Sequence, residues 1–227
     1  MSSQEEIADL IKSKSSLKRD VIDLSVQRFK ELKEILQHLI HELEEDVSKK
    51  DPRLEFSFLD LGEHYAQITI AGDVLLFALH TNVFYFPNEN PYWQSSYLKE
   101  DNNRGFCGTI QVYNFLADSV RFNREQDLGY LLARLFVNVD NHFFVEGKTE
   151  LGLLFNNFVY DELTKEKMRE VVLSIIKYCL NFDLYVPHYN HVAQITLGDA
   201  NTMKNDGTFR TGKRLGFQFG MDEDPPS

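Results

Sequence analysis

Residues Leu54–Phe86 read LEFSFLDLGEHYAQITIAGDVLLFALHTNVFYF, and the fold class turns on how this stretch is parsed. Leu54, Phe56 and Phe58 alternate with Glu55 and Ser57, the period-two mark of a strand with one buried face. Gly62-Glu63 marks a turn. Tyr65 to Ile70 is a second strand, with Ile68 and Ile70 on one face and Thr69 on the other. Ala71-Gly72-Asp73 is a stronger turn signal. Val74 to Phe86 is then apolar almost throughout and reads as a third strand covered on both faces. Consecutive strands joined by short connections pair antiparallel.

Toward the N-terminus, residues 2–14 carry Ile7, Leu10 and Ile11 on one side and read as a short helix. Ser15-Ser16 interrupts it, and either serine can cap a second helix. From Leu17 to Val47 the periodicity predicts a long helix. Ile22, Val26, Phe29, Leu36, Ile40, Leu43 and Val47 recur at helical spacing, and Leu32, Ile35 and Leu39 widen the stripe. Lys30, Glu31, Glu34, Gln37, Glu44 and Glu45 occupy the opposite side. Asp51-Pro52 ends this helix, because proline removes a donor and biases the preceding residue to an extended state. So wide a stripe either lies across the sheet or pairs in part with a second copy, and the second option predicts a homodimer.

Beyond the central stretch, residues 87–105 form the longest polar segment, with two prolines, four asparagines and the only tryptophan. A loop of this length in a compact domain is either functional or mobile. Gly108–Leu116 resumes strand character. Tyr130–Asn138 and His142–Gly147 read as a hairpin turning at Val139-Asp140-Asn141, although GYLLARLFV also suits a turn or two of helix. Thr164 caps a helix running to Leu180, with Met168, Val171, Val172, Ile175, Ile176 and Cys179 on its buried face. His191–Leu197 reads as a last strand. Residues 199–216 are rich in Gly, Asn, Asp and Thr, and Met221–Ser227 is a polar tail. The expected fold is α+β: a mainly antiparallel sheet of about five to seven strands covered by a long N-terminal helix and a C-terminal helix. The chain divides into an N-terminal helical extension over 1–50, an α+β domain over 51–198 and a loosely ordered segment and tail over 199–227.

The 227 residues are 43% hydrophobic and 13% aromatic, which suits a globular chain and not a disordered one. The formal net charge of −11 disfavours non-specific binding of nucleic acid, which needs clustered Lys and Arg, while leaving room for a local basic patch. Cys107 and Cys179 follow no zinc or Cys-x-x-Cys spacing. The N-terminus, MSSQEEIADLIKSK, lacks the basic start and apolar core of a secretory signal. No stretch approaches the ~18 apolar residues of a membrane span. A cytoplasmic protein with reduced thiols is expected.

The run Phe143–Glu150, FFVEGKTE, holds the most suggestive chemistry. Gly147-Lys148-Thr149 matches the end of a phosphate-cradling loop, but His142 stands where that loop needs glycine. The Glu-Gly pair resembles the strand-ending glutamate motif of toprim domains, but no strand-ending Asp-x-Asp comes after it. Glu146 and Lys148 resemble the Glu-x-Lys pair of restriction-like nucleases. On a strand the two side chains share a face, where the carboxylate can hold Mg and the lysine can position a water. Asp127 is the best-placed acidic partner, with Asp118 and Asp140 as alternatives. Against this, a hairpin turning at Asp140 sets Glu146 opposite Arg134, and a cross-strand ion pair then explains the glutamate without catalysis.

Other constellations are thinner. His188 and His191 are three apart beside Pro187 and lack a third ligand. No serine or cysteine sits in a nucleophile motif. Arg210, Lys213 and Arg214 form the densest late cluster of positive charge. Tyr92, Trp93 and Tyr97, followed by Lys99 and Arg104, compose a loop able to bind a partner or to anchor itself. The leading expectation is a non-enzymatic cytoplasmic binding or adaptor protein acting through protein–protein contacts as a homodimer. It binds through Tyr92, Trp93, Tyr97 and Arg104 and needs no cofactor. The competing expectation is a metal-dependent nuclease or phosphodiesterase using Asp127, Glu146 and Lys148 with Mg.

Overall fold

The computed structural model describes residues 3–47, 49–125, 127–147, 150–183, 186, 189–198 and 200–201. The chain opens with α1 (Ser3–Leu10), one π-helical turn (Ile11–Ser15) and α2 (Ser16–Val47). The two serines therefore do not break the helix. Ser16 keeps a helical φ of −63°, and the Ser13 hydroxyl donates to the Asp9 carbonyl at 2.7 Å, bonding back into the preceding turn instead of capping a new one. At the far end the Lys50 and Asp51 amides close on the Val47 carbonyl, just before Pro52.

The strands are β1 (Phe56–Asp60), β2 (Tyr65–Ile70), β3 (Asp73–Leu79), β4 (Phe84–Tyr85), β5 (Phe106–Leu116), β6 (Tyr130–Asn138) and β7 (Phe143–Gly147). They form one antiparallel sheet in the order β1-β2-β3-β5-β6-β7, with β4 pairing β5 off that path. Short helices connect them: α3 (Ser96–Glu100) between β4 and β5, α4 (Ala117–Arg121) after β5, and α5 (Glu150–Leu154) after β7. Then come α6 (Lys165–Leu180), capped by the Thr164 side chain as its sequence predicts, and α7 (Tyr189–Val192). The architecture is α+β, with the long N-terminal helix and α6 packed together in one core with a single face of the sheet. Among the described residues no helix is long and apolar enough to cross a membrane.

Three expectations need correction. The apolar run Val74–Phe86 is not one strand covered on both faces. It breaks at His80, whose ring nitrogen accepts the Asn82 amide at 3.0 Å, and β4 leaves both of its side chains exposed. Leu79 pairs with Ile110 but Phe84 pairs with Cys107, so the four residues 80–83 face only two, 108 and 109. The second correction concerns His191–Leu197. The part of this segment up to Val192 is helical, in α7, and the rest forms no strand. The outer edge of β7 is already taken, because Val145 and Phe143 donate to the carbonyls of Phe155 and Asp161. The third concerns the buried stripe of α2. It runs through Val21, Ser25, Phe29, Leu32, Ile35, Leu36, Leu39 and Ile40, with Ile22, Val26, Leu43 and Val47 only half-buried.

The rotation of this stripe has a clear cause. Gly108 of β5 lies directly beneath Ser25, and a Cβ built on this glycine would stand 1.9 Å from the Ser25 Oγ and 2.8 Å from its Cβ. The Ser25 hydroxyl donates to the Val21 carbonyl at 2.6 Å, so it is satisfied although buried. Two small residues thus let the helix touch the sheet backbone, and the stripe rotates to bring position 25 inward. Gly108→Ala should destabilise the protein by about 1–3 kcal/mol through overpacking. Adding Ser25→Gly should recover part of the loss, as read by urea denaturation of the single and double variants.

Candidate functional site

The β6–β7 register sets Arg134 opposite Glu146, and the carboxylate accepts the Arg134 Nε–H at 2.5 Å. Both side chains are about half exposed, on the sheet face away from α2 and α6. Lys148 lies outside the described residues. Asp127 is engaged elsewhere: it accepts the Ser119 hydroxyl at 2.6 Å and pairs with the Arg124 Nε at 3.1 Å. It precedes β6, whereas Arg134 lies four residues inside that strand, roughly 13 Å further on at ~3.3 Å per residue. Ligands of a shared divalent ion sit ~2–2.6 Å from it, so the structure does not bring Asp127 and Glu146 together. Asp140 is held by Tyr97 and Arg104, and Asp118 lies near Arg121 at 3.8 Å. Among the described residues no group of three or more His, Cys, Asp or Glu side chains is placed to hold a metal ion. His188, Arg210, Lys213 and Arg214 lie outside the described residues.

The aromatic loop has a different geometry. Phe86, Leu98, Cys107 and Phe158 form a second core, packed by Tyr92, Trp93, Tyr97, Phe136 and Phe144. The loop achieves this with three short turns of helix, each started by a capping side chain: Asn90, Ser95 and Asp101. Tyr92 donates to the Asn156 carbonyl and the Trp93 indole to the Pro87 carbonyl, both at 2.9 Å. The Tyr97 hydroxyl donates to Asp140 at 3.0 Å and accepts from the Asn138 amide at 2.9 Å. Arg104 covers the Tyr97 ring at 4.4 Å and donates to Asp140, Glu100 and the Tyr97 carbonyl.

Asn138 is the hub of this arrangement. It is fully buried, and its side chain donates to Tyr97 and the Arg104 carbonyl while accepting the Asp140 and His142 amides of the hairpin turn. Burial, as the largest effect, pushes the Tyr97 hydroxyl well above its ordinary pKa and moves Tyr92 in the same direction. It also raises the Cys107 thiol, which has no exposed surface. Tyr92, Tyr97 and Arg104 thus spend their polar groups inside the protein. The Trp93 ring lies 5.2 Å from that of Tyr85, beside a groove that also takes in Asn88 and Asn102. Lys14, Lys18, Tyr85 and Phe106, none of them singled out by sequence pattern, meet at the neighbouring cleft. The one available signal was the four-residue spacing of the two lysines on a continuous helix.

Compared with protein-family models, with curated proteins and with solved structures, the chain matches none. Its function has to be read from geometry alone.

Asn138→Ala leaves the turn amides and the Arg104 carbonyl without their buried partner, and should cost about 2–3 kcal/mol in urea denaturation. Glu146→Ala, at an exposed pair, should cost less than about 1 kcal/mol. Alkaline pH probes the same tyrosine network. The folded state raises the Tyr97 and Tyr92 pKa values, so the unfolded chain releases these protons first. Their contribution is complete below pH about 10 and is lost as pH rises beyond it. Tyr97→Phe should flatten this alkaline decline in melting temperature, whatever it does to the stability at neutral pH.

Proposed function

We propose that this chain is a non-enzymatic cytoplasmic binding protein that acts through protein–protein contacts as a homodimer. The observation that carries the reading is α1. None of its residues is buried, and Ile7, Leu10 and Ile11 stand 58%, 60% and 59% exposed along one side of it and the adjoining π turn. Three large apolar side chains in a row on a helix, spaced like those that α2 buries below, form a seam for another helix.

Charge selects a second copy as the occupant. Glu5, Glu6 and Asp9 precede the Leu10-Ile11 pair, and Lys12 and Lys14 come after it. Two such helices crossing antiparallel about Leu10 and Ile11 set the acidic half of each against the basic half of the other, as a two-fold interface requires. The engagement of Glu146 by Arg134 and of Asp127 by Arg124 favours this reading over the Glu-x-Lys nuclease, since both carboxylates already hold a cation. The buried thiols of Cys107 and Cys179, neither of them in a disulfide, suit a reducing compartment.

Light scattering on the intact protein tests the proposal. The expected mass is that of two chains, falling to one in Ile7→Glu/Ile11→Glu, whose fold survives because neither residue packs on the core. A wild-type protein that stays monomeric at high concentration overturns it.

A further inference from the structure

A cleft of about 480 Å³ opens where the π-helical turn and the start of α2 pass the paired ends of β4 and β5. Its floor is Tyr85 and Phe106, partners in the β4–β5 register with rings 4.4 Å apart. Lys14 and Lys18, one helical turn apart, stand over it with ammonium groups 5.9 and 5.8 Å from the Phe106 ring centre. Asn102 and Asn103 form the facing wall.

The plainest explanation of such lysines is that their stems shelter Phe106 while their heads stay in water. Three observations go further. Two ammonium groups converge on one ring, and among the described residues neither has a carboxylate partner, in a chain of net charge −11. Tyr85 is 44% exposed although strand-borne, with Trp93 and Phe106 packed beside it to hold the ring in place. The π turn, a feature that recurs at functional positions in helices, lies at the cleft and places both Ser13 and Lys14 in its lining.

We propose that this cleft binds a phosphate-bearing nucleobase. Lys14 and Lys18 hold the phosphate, the base stacks on Tyr85, and the side-chain amides of Asn102 and Asn103 offer donors and acceptors to its edge. A purely apolar ligand would desolvate two ammonium groups without compensation, and a bare phosphate would leave the ring platform unused. The volume accepts one nucleotide. That nucleotide is either a free monophosphate or the end of a single strand.

Trp93, the only tryptophan, lies against Tyr85 and reports on the cleft. The intact protein is titrated with AMP, with a pentathymidylate and with inorganic phosphate, tracking Trp93 emission and, in parallel, heat by calorimetry. A saturable response to AMP is expected. Lys14→Gln/Lys18→Gln should weaken it at least about tenfold, and Tyr85→Ala about fivefold or more. Lys14 and Lys18 are exposed, so the melting temperature of their double variant should stay near the wild-type value. Equal affinity for AMP and the pentathymidylate supports a free mononucleotide, and much tighter binding of the oligomer supports a strand end. No saturable response to either, phosphate binding as tightly as AMP, or undiminished binding by the lysine double variant overturns the proposal. The dimer is tested separately, by the mass of the wild-type protein and of Ile7→Glu/Ile11→Glu.

Discussion

The contact between Ser25 and Gly108 governs how the two layers of this protein meet. A helix normally rides on a sheet at the distance its side chains impose. Here one position on each side has almost no side chain, and the α2 backbone drops toward β5. From that point the buried stripe continues at helical spacing through Phe29, Leu32, Leu36 and Leu39. Burying a side chain of this size contributes about 1.5–3 kcal/mol. The seven apolar residues that α2 buries therefore contribute on the order of 10 kcal/mol or more, comparable with the whole net stability of a domain. Helix α2 is thus integral to the core it shares with α6, whereas α1, beyond the π turn, buries nothing.

The same contact shapes the edge of the sheet. Residues 80–83 bulge opposite 108 and 109, at the level where the helix comes closest, and Ser25, Gly108, His80 and Asn82 line one small pocket there. The bulge keeps β4 on β5 but offset, so Tyr85 and Phe106 end as a pair beyond the reach of the α2 stripe, beneath Lys14 and Lys18 instead. On the opposite face the aromatic loop covers one end of β5, β6 and β7. The α4 segment and the loop after it cover the other end, where Gly129 fits against the Phe115 ring. Between them a strip containing Leu59, Tyr65 and Leu131 stays exposed.

Most of the fold was legible because its signals are local. The alternation around Phe56 and Phe58, the hairpin at Asn141 and the cap at Thr164 each involve residues a few positions apart, and each appears where its pattern predicts, including the pairing of Arg134 with Glu146. The illegible features depend on residues distant in sequence. Hydrophobicity places Ile22 and Val26 inward, but only a glycine 83 positions after Ser25 (108 − 25) makes the helix rotate the other way. Composition marks Val74–Phe86 as continuous, but its break lies opposite that same glycine. Likewise Ser15-Ser16 carries the letters of a helix start, but a π turn ending at Ser15 leads directly into α2. The candidate site was half legible for the same reason. Tyr92, Trp93, Tyr97 and Arg104 form a loop visible in sequence, while Lys14, Tyr85 and Phe106 converge only in three dimensions.

The distribution of satisfied charge separates the candidate sites from one another. A carboxylate that binds a metal or takes a proton from substrate must offer lone pairs that the protein does not already use. Glu146 holds Arg134, Asp127 holds Arg124 and Ser119, and Asp140 holds Arg104 and Tyr97. Each pair also has a structural role, closing the β6–β7 hairpin, the loop before β6 or the base of the aromatic loop. To recruit any of them for chemistry would release a cation and loosen the element it fastens. At the junction of α1 and α2 the situation is reversed. Among the described residues Lys14 and Lys18 have no acidic partner, and Leu10 and Tyr85 are exposed. Binding there asks the protein to give up no ion pair described for it, which is why the proposed recognition chemistry is placed at this edge of the molecule and not on the Glu146 strand.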